Sequence, residues 1–309
     1  MLHLYIEPHA GAQPVVQIIN SARRDLRMEV YFLSDGRVLR ALASAHQRGV
    51  HVEVILDHHP YGLPAWKVRK EAESVERTGA TLHWAPRRFE AVDGRYVYEH
   101  AKFTCNNHTC EIGTGNYGWD SFHHDRDYDL VTSNPTIVRA ANTVFTADWN
   151  NRRAGNFPHR VLVLSPNSAG KILGVIHQAG PIVMESEELG DYRPILDALA
   201  AKGKDARILL PASISAQDHR NAEALVRAGV DVRLLPVKPV YLHGKVICGR
   251  SSAFVGSENV SYSSIMRNRE MGLVVQGEPV AQIERQFASD WSHSEPLSAW
   301  RPKRNKGGW

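Results

Sequence analysis

The feature that most constrains this chain is an internal repeat. Glu99-His100-Ala101-Lys102-Phe103, followed by Ile112-Gly113-Thr114-Gly115-Asn116, returns as Leu242-His243-Gly244-Lys245-Val246, followed by Val255-Gly256-Ser257-Glu258-Asn259. Both histidines, both lysines, both glycines of the Gly-[Thr/Ser] step and both asparagines are offset by 143 residues, and the same offset carries Arg126-Asp127 onto Arg269-Glu270. Phe145-Thr146-Ala147-Asp148-Trp149 returns as Phe287-Ala288-Ser289-Asp290-Trp291 at an offset of 142, a slip that one loop residue absorbs. Self-similarity at a fixed spacing reports a copied structural unit, so the fold must be two versions of one lobe.

The front of each copy agrees. Hydrophobic periodicity predicts a helix over 14–24, a strand over 26–33, a helix over 37–48 closed by Gly49, and a strand over 50–56. In the second copy it predicts helix 168–179, strand 182–186, helix 193–202 closed by Gly203, and strand 206–210. Strands alternating with helices of this length mean βαβ units and mixed, mainly parallel sheets in an α/β fold. The pattern breaks at Ala154-Gly155-Asn156 and Pro158, which divides the chain into lobes 1–155 and 156–309. At 309 residues and 43% apolar content, each lobe is large enough to bury its own core.

No apolar run approaches the roughly 20 residues of a membrane span. The N-terminus lacks the basic, apolar and small-residue order of a signal peptide, which leaves a cytoplasmic chain or one exported with its leader already removed. Cys105 and Cys110 flank a hairpin-like Asn106-Asn107-His108-Thr109, so a bridge across two strands and a metal site completed by His108 both remain open. Cys248 has no nearby partner. The basic tail 301–308 reads as a solvated terminus.

Residues two apart on a strand project to one face, so His100 and Lys102 point together, as do His243 and Lys245. A two-lobed arrangement brings all four to the seam. Two imidazoles and two ammonium groups around one cavity suit a phosphodiester. The lysines and the amides of Asn116 and Asn259 hold the non-bridging oxygens, one histidine attacks phosphorus and the other protonates the leaving oxygen. Asp127 and Glu270 are placed to hold the second ring nitrogens. This scheme needs no metal or other cofactor.

These residues resemble the phospholipase D superfamily, whose signature is His-x-Lys-x4-Asp followed by Gly-[Ser/Gly]-x-Asn, twice per active unit. The resemblance covers nearly the whole chain and implies two pseudo-twofold-related α-β-α sandwich lobes and a two-step reaction through a covalent phosphohistidine. It implies a catalytic set of His100, Lys102, Asn116, Asp127, His243, Lys245, Asn259 and Glu270, with Thr114 and Ser257, at the hydroxyl position of the Gly-Ser step, as substrate contacts. The motif aspartate is replaced by Asn107 and by Arg250. In the family that aspartate makes structural contacts away from the phosphate, so activity is expected, and a phosphate-binding module that has lost catalysis is the alternative in another class.

Asp57-His58-His59 mimics the opening of a two-metal phosphoesterase motif, but its companion Asp-x-Asp strand is absent, so these read as loop residues near the cavity mouth. His123-His124-Asp125 reads as a lid or substrate contact rather than a metal site. Family relatives hydrolyse phospholipids, exchange phosphatidyl groups as in cardiolipin synthesis, or cut nucleic acid. Tyr61, Trp66, Trp119, Phe122 and Tyr262 flank the expected cavity, with Trp119 and Tyr262 read as substrate contacts, and favour phospholipid at a membrane surface. Lys67-Val68-Arg69-Lys70 and Arg87-Arg88 suit a nucleic-acid backbone, although a net charge of +4 is mild. A chain holding both motifs completes its own site, so a monomer is expected.

Overall fold

The computed structural model describes residues 2–92 and 94–302. Eight strands belong to the first repeat: β1 Leu2–Ile6, β2 Asp25–Val30, β3 His51–Leu56, β4 Thr81–Trp84, β5 Lys102–Asn106, β6 Cys110–Gly113, β7 Asp125–Arg126 and β8 Tyr128–Thr132. Nine belong to the second: β9 Val163–Leu164, β10 Ile182–Ser186, β11 Ala206–Pro211, β12 Asp231–Leu235, β13 Tyr241–Leu242, β14 Lys245–Cys248, β15 Ala253–Gly256, β16 Met271–Val275 and β17 Glu295–Pro296. The first sheet runs β1-β8-β6-β5-β2-β3-β4 and the second β17-β12-β11-β10-β14-β15-β16-β9. The expected tail beyond Pro302 lies outside the described residues.

Both sheets are mixed. In the first, β1, β2, β3, β4 and β6 run one way and β5 and β8 the other, yet only the β2-β3 and β3-β4 ladders are parallel. The second repeats this, with parallel ladders confined to β10-β11 and β11-β12. "Mainly parallel" therefore describes strand direction, while most neighbours are antiparallel. The βαβ fronts supply the parallel part, and the hairpins that carry the motifs supply the rest.

The helices form where caps and apolar spacing agree. Gln13–Ser21 has Pro14 at its start and buries Val15, Ile18 and Ile19. Gly36–Gln47 is capped by Asp35, whose carboxylate accepts from the amides of Arg37 and Val38, and it buries Val38, Ala41, Leu42 and Ala45. These helices cover one face of the first sheet in an outer core that includes Leu26, Met28, Val52 and Val54. A matching outer core lies in the second lobe. Between them runs a third core shared by both repeats, in which Phe103, Ile112, Leu130 and Phe145 meet Val246, Val255, Leu273 and Phe287.

Cys105 and Cys110 are register partners across β5 and β6 and form a disulfide, so the metal reading of this turn falls, because both sulfurs are used. Cys248 is free and buried. Asn107 sits in the turn, with its amide nitrogen donating to Asp25 at 3.1 Å. At ~3.3 Å per strand residue it is about 16 Å along the chain from Lys102, at the far end of β5. Arg250 is exposed at the corresponding turn of the second repeat.

Two buried ion pairs lock the seam, and each draws one partner from each repeat. Arg126 makes a two-point contact with Asp290, at 2.7 and 3.1 Å, and Arg269 makes the same contact with Asp148, at 2.6 and 3.0 Å. Removing one partner strands a buried charge, a loss typically worth about 3–5 kcal/mol. Asp290→Ala is therefore expected to destabilise the chain by about that much in denaturant unfolding, and a loss under about 1 kcal/mol would contradict this account of the seam.

Candidate active site

Each histidine lies in the extended segment leading into the lysine-bearing strand, and that segment is anchored on the opposite repeat. The amide of His100 donates to the carbonyl of Arg269 at 2.8 Å, and the amide of Arg269 donates to the carbonyl of Tyr98 at 3.0 Å. In mirror fashion β13 pairs with β7, and the amide of His243 donates to the carbonyl of Arg126 at 3.2 Å. This exchange sets each histidine against the carboxylate of the other repeat. His100 Nδ1 lies 2.9 Å from Glu270 Oε2, and His243 Nδ1 lies 2.8 Å from Asp127 Oδ1. An ionised carboxylate only accepts, so each Nδ1–H donates and each Nε2 remains for chemistry.

The carboxylates are themselves buttressed. Asp127 accepts from the Thr114 hydroxyl at 2.5 Å, and Glu270 accepts from Ser264 Oγ at 2.6 Å and from Asn268 Nδ2 at 3.0 Å. This corrects one expectation. Thr114 is fully buried, with its hydroxyl donating to Asp127 and accepting from the Tyr128 amide, and the buried Ser257 hydroxyl accepts from the Met271 amide at 3.0 Å. Both hydroxyls are engaged within the protein rather than turned to a substrate.

Lys102 and Lys245 are buried and each donates to the carbonyl of the histidine two residues earlier. The side-chain oxygens of Asn116 and Asn259 are buried without a partner. Trp119 and Tyr262 stand exposed at the start of the short helices Trp119–His123 and Tyr262–Met266, just past the asparagines. Trp119 stacks on His123, and Arg267 lies over the Tyr262 ring. His58 and His59 sit against Glu90, while Asp57 is buried and accepts from the Glu99 amide at 2.8 Å, which steadies the entry to His100.

Glu187 is the site residue that sequence reasoning missed. Its Oε2 lies 2.7 Å from Lys245 Nζ and 3.5 Å from His243 Nε2, a place a phosphate oxygen would also favour. Strand register aligns Glu185 with Glu29, so Glu187 stands where the first repeat has Tyr31. There Tyr31 instead offers its ring to Lys102, at 5.1 Å, and to His100. The repeats share no residue identity at this position, so the motif comparison carried no signal for it. Glu258 was also missed. It replaces Gly115, and both its carboxyl oxygens are buried without a partner.

This asymmetry splits the two imidazoles. Burial pulls His100 below the usual histidine range despite Glu270, with Lys102 and Lys245 adding to the effect. Burial acts on His243 in the same direction, but Asp127 and Glu187 together outweigh it and raise the group above its ordinary value. Burial also pulls Lys102 down to about 7. One imidazole is thus biased neutral and the other protonated.

The comparisons with known proteins fall on this frame. The family described as "Cardiolipin synthase, PLD-like domain" matches residues 15–149 and 182–291, covering both repeats. The chain belongs to this phospholipase D-like family. It is 27% identical over 223 residues, 62% of its length, to 29% of a polyphosphate kinase of Prosthecochloris aestuarii. It is 26% identical over 149 residues, 46% of its length, to 63% of a mitochondrial cardiolipin hydrolase of Xenopus laevis. The chain thus spans less than two thirds of the length of either of these curated relatives. Among solved structures, a phosphatidylserine synthase from Haemophilus influenzae Rd KW20 superposes with a TM-score of 0.72 at 10% identity, covering 97% of this chain and 89% of that one. That likeness is one of fold.

If Glu187 helps hold His243 protonated, Glu187→Gln lowers the His243 pKa measured by NMR and moves that of His100 less. An unchanged His243 titration would remove Glu187 from the account.

Proposed function

We propose that this chain is a phosphodiester-cleaving or phosphatidyl-transferring enzyme working through a covalent phosphohistidine on His100. The observation that carries the reading is a pair of imidazoles, each oriented by a carboxylate from the other repeat and flanked by a buried lysine, and their pKa values are pushed in opposite directions by burial at His100 and by Asp127 and Glu187 at His243. Neutral His100 has a lone pair on Nε2 to attack phosphorus. The phosphorus–oxygen bond to the leaving alcohol breaks as that oxygen takes the proton from His243 Nε2. In the second step neutral His243 removes a proton from water or an acceptor alcohol, whose oxygen attacks phosphorus and expels His100. Lys102, Lys245, Asn116 and Asn259 hold the non-bridging oxygens as charge builds on them.

Phospholipid is the substrate class we favour. Tyr61, Trp66, Trp119 and Tyr262 are all large and exposed on loops and helix starts beyond the strands, as suits amphipathic rings at a lipid–water boundary. Among the described residues no helix is long and apolar enough to cross a membrane. The names of the cardiolipin-hydrolase relative and the phosphatidylserine-synthase neighbour fit this class. The second reading, a nuclease, rests on Lys67, Arg69 and Lys70 along the helix Ala65–Glu76.

A parallel assay in excess chelator tests both. Phosphatidylglycerol vesicles are expected to lose headgroup, or to exchange it with added ethanol, while a single-stranded oligonucleotide stays intact. Shortening of the oligonucleotide alone would install the nuclease reading, and silence in both arms would favour a binding module. His100→Ala is expected to lower kcat by about 10⁴-fold or more, and His243→Ala by about 10²–10⁴-fold.

The pH profile follows from the same shifts. Activity needs His100 unprotonated, so it is lost as pH falls through a pKa below the usual histidine value. It needs His243 protonated, so it is lost as pH rises through a pKa above that value. The expected profile is a bell whose acid limb reports His100 within the coupled pair and whose alkaline limb is shared by His243 and Lys102, which burial pulls down to about 7. A single-limbed profile would contradict this division of labour.

A further inference from the structure

Behind Arg269 the seam opens into a cavity of about 750 Å³, bounded by the loop before His100, the segment joining the repeats and the turn after Met266. Its cations are Arg88, Arg95, Arg153, Arg267 and Arg269, burial and the nearby Arg269 hold His159 below the usual histidine value, and among the described residues no carboxylate lines it. Arg88 and Arg269 are committed to Asp148. Among the described residues Arg95, Arg153 and Arg267 are in no ion pair, and all three are exposed, with Arg267 lying over the Tyr262 ring. Phe89, Val97 and Met266 add an apolar wall.

Like charges gathered around a hollow repel one another unless an anion sits among them. A guanidinium presents paired donors that match two oxygens of one phosphate, and three such groups at one rim exceed what a single phosphate can engage bidentately. The volume lies within the range of small-molecule sites, and an apolar wall facing a cationic rim is the usual composition of a pocket that takes an organic anion. The cavity is also distinct from the catalytic cluster. Arg269 lies beside it in sequence, and its carbonyl accepts from the His100 amide, but His100, His243 and both lysines are absent from the cavity's lining.

We propose that this seam cavity is a second anion site, which binds a small ligand carrying two or more phosphates, with Arg153 and Arg267 as its free clamps. The shared chemistry is clustered phosphate, and two sources supply it: a linear inorganic chain or phosphates spaced on an organic body.

Calorimetry on the full chain tests this with inorganic tripolyphosphate, fructose 1,6-bisphosphate and inorganic phosphate as probes. At least one of the first two is expected to bind at least tenfold tighter than inorganic phosphate, and which of them does so identifies the source. The double variant Arg153→Ala, Arg267→Ala is expected to weaken that binding at least tenfold while leaving thermal stability in place. The His243→Ala variant is expected to bind the same probe within twofold of the unaltered chain. Equal binding by the arginine variant, loss of binding in the His243 variant, or inorganic phosphate binding as tightly as both other probes would each overturn the proposal. The third variant separates this site from the catalytic one, so the proposal stands or falls apart from the reading of the active site.

Discussion

A guanidinium buried in the seam must be met by a carboxylate, and here that carboxylate comes from the other repeat. Arg126 reaches Asp290, and Arg269 reaches Asp148. The residue after each arginine carries the exchange into the histidine cluster, since Asp127 orients His243 and Glu270 orients His100. Two neighbouring residues thus tie the lobes together and aim the imidazoles. Charge pairs of this kind fix geometry more reliably than they add stability, because desolvation offsets most of their attraction. Their return is register: neither half-site can form without the other lobe, and the shared central core holds both in place.

Symmetry of scaffold does not produce symmetry of charge. Both histidines face a carboxylate through Nδ1, and both lysines fold back on the preceding histidine's carbonyl. The halves part beside the imidazoles at the aligned position where Tyr31 offers a ring face and Glu187 a full negative charge. An anion 3.5 Å from Nε2 of His243, where the aligned position beside His100 offers a ring, pushes two chemically identical groups toward opposite protonation states. Glu187 itself is held well below the usual carboxylate range, because His243 and Lys245 overcome the cost of its burial.

Much of this was legible in the sequence. The 143-residue offset named both histidines, both lysines, both asparagines and the two carboxylates, because copied residues bound to the same job keep their spacing. The strand 182–186 and the helix 193–202 were read with the bounds the structure gives, since apolar spacing and flanking glycines mark them. The Phe-x-x-Asp-Trp endings were visible as repeats, but their purpose was not, because the partner of each aspartate lies across the seam and sequence spacing says nothing about which lobe supplies it. Thr114 and Ser257 misled for a related reason: a hydroxyl near a catalytic asparagine can serve the substrate or the scaffold, and only its hydrogen bonds tell the two apart. Glu187 escaped because it is where the copies differ.

The claim at the centre of this account is that the two imidazoles have different jobs. The most direct measurement is to react the unaltered chain and its two histidine variants with a phosphodiester bearing an activated leaving group, quench in base and map any phosphorylated peptide by mass spectrometry. The account predicts that His243→Ala accumulates an adduct on the peptide containing His100 and that His100→Ala carries none. An adduct on His243 in the His100→Ala chain, or none on His100 under any condition, would contradict it.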